Sequence, residues 1–133
     1  MTEDAVAEEN KSRWFIDLEW YERSHRSFSM LAERSLCPKC RKRLKDGKLS
    51  AKDIPSTIKG CCAKTEGFMP DNLPLLEAVF RLFLANGNQP LNLEQMAEEL
   101  RERRGGGFYP NSPQVLYRVL QNDRYYGLKK APA

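Results

Sequence analysis

The sequence predicts a mainly α chain of the α+β class, and two patterns lead to that prediction. From Asn72 onward, apolar residues recur with the spacing of helices, and the chain then reaches a short β-like stretch, "RYYGLKK". Before these helices lies a stretch rich in proline and glycine that holds all four cysteines. We therefore expect a three-helix unit with a small strand element, preceded by a loop-rich module and an aromatic helical segment.

These patterns divide the chain of 133 residues into three predicted parts. Residues 1 to 12 form an acidic tail, which we expect to be disordered because it is highly charged and lacks aromatic side chains. Residues 13 to 72 comprise N-terminal helices and the cysteine-rich module. Residues 73 to 133 form the three-helix domain.

The N-terminal segment starts with aromatic residues that fit two structures. Alternate residues from Trp14 to Trp20 are apolar, which is typical of a strand. Asp17 could instead begin a helix with Leu18 and Tyr21 on one face. We favour the helix.

The other helix boundaries are predicted from residues that commonly begin or end helices. They are Ser27 as a cap, Asn72 as the cap of the first C-terminal helix, Asn86-Gly87 as its end, Asn92 with Gln95 as a capping box, and Ser112 with Pro113. Residues 37 to 72 lack a periodic pattern, and we predict irregular loops there.

The positive charge of the chain is concentrated in the cysteine segment. Residues 37 to 64 carry 9 basic and 2 acidic side chains, a net charge of +7, whereas the whole chain carries +4. Residues 1 to 36 sum to −3 and residues 65 to 133 to zero. A solvated surface explains such a run equally well, but nucleic acid is the partner that concentrated positive charge favours.

The spacing of the cysteines is typical of a metal site. Cys37 and Cys40 form a Cys-x-x-Cys pair, which presents two sulfurs to one ion, and Cys61 and Cys62 are the second half. Adjacent side chains on an extended chain point in opposite directions, so we expect a sharp bend there, permitted by Gly60. Disulfides are rare in a reducing compartment, so metal binding is the favoured reading.

Several alternatives remain open for this site. The ligands are either the four cysteines, which we favour, or three of them with His25, the one histidine of the chain. The cofactor is zinc in a structural role or, alternatively, an iron–sulfur cluster. Ordinary free cysteines are the third possibility.

The C-terminal part resembles a winged helix-turn-helix domain. The resemblance covers residues 73 to 130 and rests on "NGNQPLNLEQMAEEL" and "SPQVLYRVLQNDRYYGLKK". It is a likeness of fold, and the seven-residue turn "GGGFYPN" departs from the short turn of the compact motif.

This resemblance implies a recognition helix at residues 112 to 122, a helix that such domains lay in the major groove. The helical spacing places four residues on its outer face, where glutamine and arginine suit base contacts: Gln114, Tyr117, Arg118 and Gln121. Phosphate contacts are expected from Arg124, Lys129 and Lys130 in the wing, and from five cations after the first cysteine: Lys39, Arg41, Lys42, Arg43 and Lys45.

These observations lead to a nucleic-acid-binding protein, with DNA favoured over RNA, as the first hypothesis: a cytoplasmic transcription regulator with a structural zinc site. The alternative is an accessory or adaptor subunit of a larger assembly, an RNA polymerase or a ribosome. In it the winged-helix unit would bind protein, and the aromatic N-terminal segment would dock on a protein partner. A third is an iron–sulfur redox sensor. An enzyme, a small-molecule substrate and a membrane partner are not expected, since the sequence has one histidine, no nucleophile motif and no long apolar run.

Overall fold

A computed structural model describes residues 11 to 70, 72 to 103 and 112 to 132. It confirms the predicted class, because helices dominate and a small antiparallel sheet accompanies them. The strands are β1 (Arg13–Ile16), β2 (Leu91–Asn92) and β3 (Leu128–Lys130). The α-helices are α1 (Leu18–Arg23), α2 (Phe28–Glu33), α3 (Pro38–Lys45), α4 (Ile54–Gly60), α5 (Leu75–Ala85), α6 (Leu93–Arg103) and α7 (Pro113–Gln121). Single 3-10 turns occur at Ala51–Asp53, Cys62–Lys64 and Glu66–Phe68.

The N-terminal segment is a strand followed by a helix. Trp14 and Ile16, two residues apart on β1, are both buried, as expected for one face of a strand. The Asp17 side chain then caps α1 by accepting a hydrogen bond from the Glu19 backbone N–H at 3.1 Å. The prediction of a helix is therefore wrong for Arg13–Ile16 and right for Leu18–Arg23.

The sheet is built around β1. Its order is β2-β1-β3, and both pairings are antiparallel. Trp14 lies opposite Leu91 on one side and Lys130 on the other. The strand predicted for the wing thus pairs with the N-terminal strand and not with β2. Among the described residues, β2 and β3 are therefore connected only through β1, from the other end of the chain.

Asn88 extends this pairing beyond the strand ends. Its side-chain amide donates to the Ile16 carbonyl at 2.9 Å, and its Oδ1 accepts from the Ile16 N–H at 2.8 Å. The amide therefore takes the place of a backbone partner for β1. Asn88 itself has a left-handed φ of 62°, a conformation that asparagine tolerates better than most residues.

The stretch predicted as irregular loops contains two helices, so that prediction is wrong for α3 and α4. Pro38 and Pro55 lie in the first turns of these helices, where a missing N–H costs nothing, rather than breaking them. Ile54 and Ile58 lie one turn apart on α4 and are fully buried. A helix with only two inward residues leaves a pattern too short to recognise.

The capping residues of three helices act as predicted. Ser27 and Ser112 accept hydrogen bonds from Met30 and Val115, and Asn92 and Gln95 exchange hydrogen bonds of 2.9 and 2.8 Å in a capping box. α5 differs, because it begins after Pro74 and Asn72 does not cap it. Proline disfavours helical backbone in the residue before it, so the helix cannot reach back to Asn72.

The core joins both ends of the chain. Phe80 and Phe83 of α5 are fully buried and belong to one apolar cluster with side chains from β1, α4, α6, α7 and β3. A row of ring contacts with centroids 5.0 to 6.1 Å apart links the two ends in the order Trp20, Tyr21, Phe28, Phe80 and Tyr126. The proposed division between residues 72 and 73 stays a prediction. None of the helices in the described part of the chain is long and apolar enough to cross a bilayer.

Candidate metal centre and cationic surface

The four cysteines are brought together by α3 and by the end of α4. Cys37 is the N-cap residue of α3, and Cys40 lies in its first turn, so both sulfurs leave the same end of the helix. Cys61 follows the last residue of α4, and Cys62 begins the next 3-10 turn. The four sulfur atoms all lie within 4.8 Å of one another.

The bend that lets two adjacent cysteines face one point occurs at Cys61. Its backbone has φ −129° and ψ −66°, which is neither helical nor extended. Gly60 is the last residue of α4 and is not among the residues with positive φ. The expectation that Gly60 makes the bend is therefore wrong, since the turn from an α-helix into a 3-10 helix makes it.

The cysteine cluster is largely buried. Cys37, Cys40 and Cys62 are buried and Cys61 is half-buried, and all four are free thiols. The Cys37 backbone N–H donates to Cys62 Sγ at 3.2 Å, and Cys40 Sγ lies 3.6 Å from Cys61 Sγ. Such N–H donors are the usual second layer around metal thiolates.

The thiols differ in acidity. Burial alone raises the pKa of Cys37, but hydrogen bonds from the Cys40 backbone and from the other thiols bring that pKa down to about 7. Burial and the neighbouring thiols raise the pKa of Cys40 to about 12, and burial raises that of Cys62. A bound metal ion would favour the deprotonated form of all four cysteines, because it binds thiolates and releases their protons.

His25 lies apart from this group. It is exposed, in the turn after α1, with a left-handed φ of 55°. The group of potential ligand atoms found among the described residues consists of the four cysteines without it.

The five cations predicted after the first cysteine all lie on α3 and are exposed. Cys40 and Leu44, one turn apart, face inward, so the cationic side chains occupy the rest of the helix surface. In the described part of the chain, the ion pairs involve Arg23 and Arg81, and none involves these five. We call this surface, formed by Lys39, Arg41, Lys42, Arg43 and Lys45, the cationic face of α3.

The residues predicted to contact nucleic acid in the C-terminal part have mixed surroundings. Gln114, Arg118 and Gln121 of α7 are exposed, as is Arg124. Tyr117 is half-buried and accepts a hydrogen bond from Gln121 at 3.1 Å. Lys129 and Lys130 lie against aromatic rings. The Lys129 Nζ is 5.9 Å from the ring centroid of Trp20. The Lys130 Nζ is 5.9 Å from the ring centroids of both Trp14 and Tyr117. The predicted turn "GGGFYPN" lies outside the described residues.

A cleft beside the cysteines was not anticipated from the sequence. It has a volume of about 940 Å³, and its walls include Cys61 and four basic residues: Arg34, Lys39, Arg41 and Arg81. Arg81 lies within the apolar run of α5, "LLEAVFRLFLA". A charged residue inside a buried stripe is a signal that could have identified this cleft.

Comparison with protein-family models, with curated proteins and with solved structures finds no match to the chain. The likeness to a winged-helix domain therefore stays a prediction. The observed order α5, β2, α6, α7, β3 agrees with the order expected from that likeness. The function has to be inferred from the site itself.

Proposed function

We propose that this chain is a nucleic-acid-binding protein with a structural zinc ion, acting in the cytoplasm as a DNA-binding transcription regulator and not as an enzyme. The observation that carries the proposal is the link between the cysteines and the cationic face of α3. Cys37 and Cys40 anchor the first turn of that helix, and its five exposed cations have no acidic partner in the described part of the chain. An ion held by these cysteines would fix a positively charged helix against the core.

Zinc is the metal that this geometry favours. Tetrahedral zinc with Zn–S bonds of about 2.3 Å places its sulfurs about 3.8 Å apart. The distance of 3.6 Å between the sulfurs of Cys40 and Cys61, and the limit of 4.8 Å for the whole group, suit one ion. In an iron–sulfur cluster the four cysteines are divided among two or more irons, so sulfurs bound to different irons lie further apart than sulfurs bound to one ion. With four cysteine ligands the zinc ion has no open position, so its role is structural.

The favoured partner is duplex DNA. α7 exposes Gln114, Arg118 and Gln121, which are side chains able to read base edges in a major groove. The cationic face of α3 supplies phosphate contacts, which carry affinity but no sequence information. The two surfaces would thus divide affinity and sequence reading between them.

Salt-dependent binding to duplex DNA tests this proposal. Fluorescence anisotropy of a labelled random duplex is measured between about 50 and 200 mM salt, the range over which phosphate contacts dominate. The Arg43→Gln/Lys45→Gln variant should reduce the slope of log K against log salt by about 2. Arg101→Gln/Arg103→Gln, which removes the same charge from the exposed end of α6, is the control and should retain the slope. No binding by the wild type at low salt, or equal losses in both variants, would contradict the proposal.

An accessory subunit is the second candidate, supported by apolar side chains on the surface. Met30 is 71% exposed and Tyr125 is 41% exposed, and both line a groove of about 430 Å³ with Tyr21, Arg26 and Leu31. Exposed apolar groups around a groove are typical of protein contacts. This candidate would be favoured over the first if the tagged chain co-sediments with ribosomes or polymerase. The Met30→Asp variant should lose this co-sedimentation, and the control Ser56→Asp should keep it.

A further inference from the structure

The cleft between the four cysteines and α5 combines positive charge with partial burial. Its walls carry Arg34, Lys39, Arg41 and Arg81, and none of the described residues that line it is acidic. Arg34, Lys39 and Arg41 are exposed, whereas the Arg81 side chain is only 14% exposed. A volume of about 940 Å³ lies within the range of small-molecule sites.

Two guanidinium groups are held in place here by backbone carbonyls. Arg41 Nη2 donates to the carbonyls of Arg34 and Leu36 at 3.2 and 3.3 Å. Arg81 donates through Nη1 to the Phe68 carbonyl at 2.8 Å and through Nη2 to the same Arg34 carbonyl at 3.4 Å. The two cations thus converge on one oxygen atom, and each retains further N–H donors.

The positive charge at this point is only partly balanced. The nearest carboxylate to Arg81 is that of Glu77, at 3.9 Å, which is too long for a hydrogen bond. Arg81 Nε is buried and has no hydrogen-bond partner. Burial and the neighbouring charge of Arg41 lower the pKa of Arg81, against the effect of Glu77. An anion bound by these guanidinium groups would reduce the repulsion between them.

We propose that this cleft is a phosphate-binding site, with Arg34, Arg41 and Arg81 as its anion ligands. Paired guanidinium groups match the tetrahedral oxygens of a phosphate, because each arginine can donate two parallel hydrogen bonds. Ser35, which also lines the cleft, offers a hydroxyl in addition. The phosphate comes from either a nucleic acid or a free phosphorylated molecule. In the first case the site deepens the proposed function, and in the second it is independent of it.

Titration of the metal-loaded full chain with inorganic phosphate tests the site directly. The Nε–H signal of Arg81 in a ¹H–¹⁵N spectrum should shift on saturation, because a phosphate bound to the Arg81 guanidinium group changes the surroundings of that group. Arg41→Gln and Arg34→Gln should each weaken phosphate binding about tenfold, as expected for the loss of a charge-assisted hydrogen bond. Lys42→Gln, the neighbouring exposed cation that does not line the cleft, is the control and should bind as the wild type does.

The source of the phosphate is distinguished by two further titrations. If adenosine monophosphate binds more tightly than inorganic phosphate, and an oligonucleotide lacking terminal phosphates binds no more tightly than inorganic phosphate, the ligand is a free phosphorylated molecule. The reverse order indicates the nucleic-acid backbone. An unchanged Arg81 signal at high phosphate concentration, or equal weakening by Lys42→Gln and Arg41→Gln, would overturn the site. Neither result concerns the salt dependence of duplex binding, so failure here is separable from failure of the proposed function.

Discussion

Gly127 allows the N-terminal and C-terminal segments to touch. It has φ +68°, and its carbonyl accepts a hydrogen bond from the Asp17 N–H at 2.8 Å. A Cβ atom here would lie 2.8 Å from Trp20 Cε3 and 2.9 Å from Tyr21 Cε2, closer than carbon atoms can approach. Both the left-handed backbone and the close contact therefore require glycine.

Gly127→Ala should lower the free energy of unfolding by about 2–4 kcal/mol, through backbone strain and overpacking together. Gly47→Ala is the matched control, because Gly47 also has a positive φ, +75°, but open space around its Cβ position. That variant should lose only about 1–2 kcal/mol, from the left-handed backbone. Urea denaturation measures both, and equal losses would show that the contact with Trp20 and Tyr21 does not matter.

Tyr21 makes stability depend on alkaline pH. Its hydroxyl donates to the Tyr126 carbonyl at 2.6 Å, and burial together with the charge of Asp123 raises the pKa of Tyr21. Because the folded pKa is above the unfolded value of about 10, the contribution is complete below pH 10 and is lost as pH rises above it.

We therefore expect the free energy of unfolding to fall above pH 10, with this group contributing at most about 1.4 kcal/mol per pH unit. Tyr21→Phe should flatten the decline, while Tyr125→Phe, which changes an exposed tyrosine, should leave it unchanged. Urea unfolding between about pH 9 and 11 covers the range in which the free phenol titrates. A decline of the same slope in Tyr21→Phe would assign the pH dependence to other groups.

Among the elements, α3 and α4 depend most on what holds them. They contain 8 and 7 residues, lengths at which isolated helices are barely populated in water. The four cysteines lie at the start of α3 and just after the end of α4. An ion bound to them would therefore hold the two helices together and stabilise them despite their short length.

Removal of metal by a chelator under reducing conditions should therefore release one ion per chain and lower the free energy of unfolding by at least about 3 kcal/mol. Cys40→Ser should reduce the metal content to the same extent. Ala63→Ser, which introduces a hydroxyl beside a ligand, should keep its metal. Elemental analysis and thermal unfolding report the result, and a metal-free wild type with an unchanged melting temperature would exclude a structural ion.

The Asn88 side chain attaches β1 to the turn after α5. Asn88→Ala removes both hydrogen bonds to Ile16 and should cost about 1–3 kcal/mol of unfolding free energy, since the Ile16 backbone groups lose their partners. Gln89→Ala is the control, because its hydrogen bonds with Asn86 use only its backbone. Chemical denaturation that gave the same stability for both variants would contradict this role.

Several elements could be predicted because their signals are local. The capping residues Ser27, Asn92 and Ser112 each act within three residues of themselves, and the apolar stripes of α5 and α6 follow the helical repeat. β1 was missed because four residues of alternation also fit a helix, and α3 and α4 because two inward residues make no visible period.

For the whole molecule, the position of β1 has the largest consequence. It separates β2 from β3, which contain two and three residues and, in the part of the chain that the structure describes, pair with β1 alone. Strands this short do not form a stable sheet without a third strand or a packed helix. The C-terminal part therefore uses the N-terminal segment as its central strand.

Residues 73 to 133, expressed alone, should consequently lack a cooperative unfolding transition, because β2 and β3 then have no central strand to pair with. Deletion of residues 1 to 10, which leaves β1 intact and removes the tail that the sequence predicts to be disordered, is the control and should unfold as the full chain does. Circular dichroism and calorimetry distinguish the two. A sharp transition in the 73–133 fragment would show that this part folds without β1.

The sequence by itself determined the helical class, the starts of α1, α2, α6 and α7, the grouping of the cysteines and the concentration of charge after Cys37, because each leaves a signal in a short stretch of the chain. Only the tertiary structure decided that β1 lies between β2 and β3, that the chain bends at Cys61, and that Arg41 and Arg81 share the carbonyl of Arg34. Arg34 and Arg81 are 47 residues apart, and β1 is more than 70 residues from β2. Contacts between residues so far apart in the sequence depend on how the whole core packs, and no local sequence pattern predicts that packing.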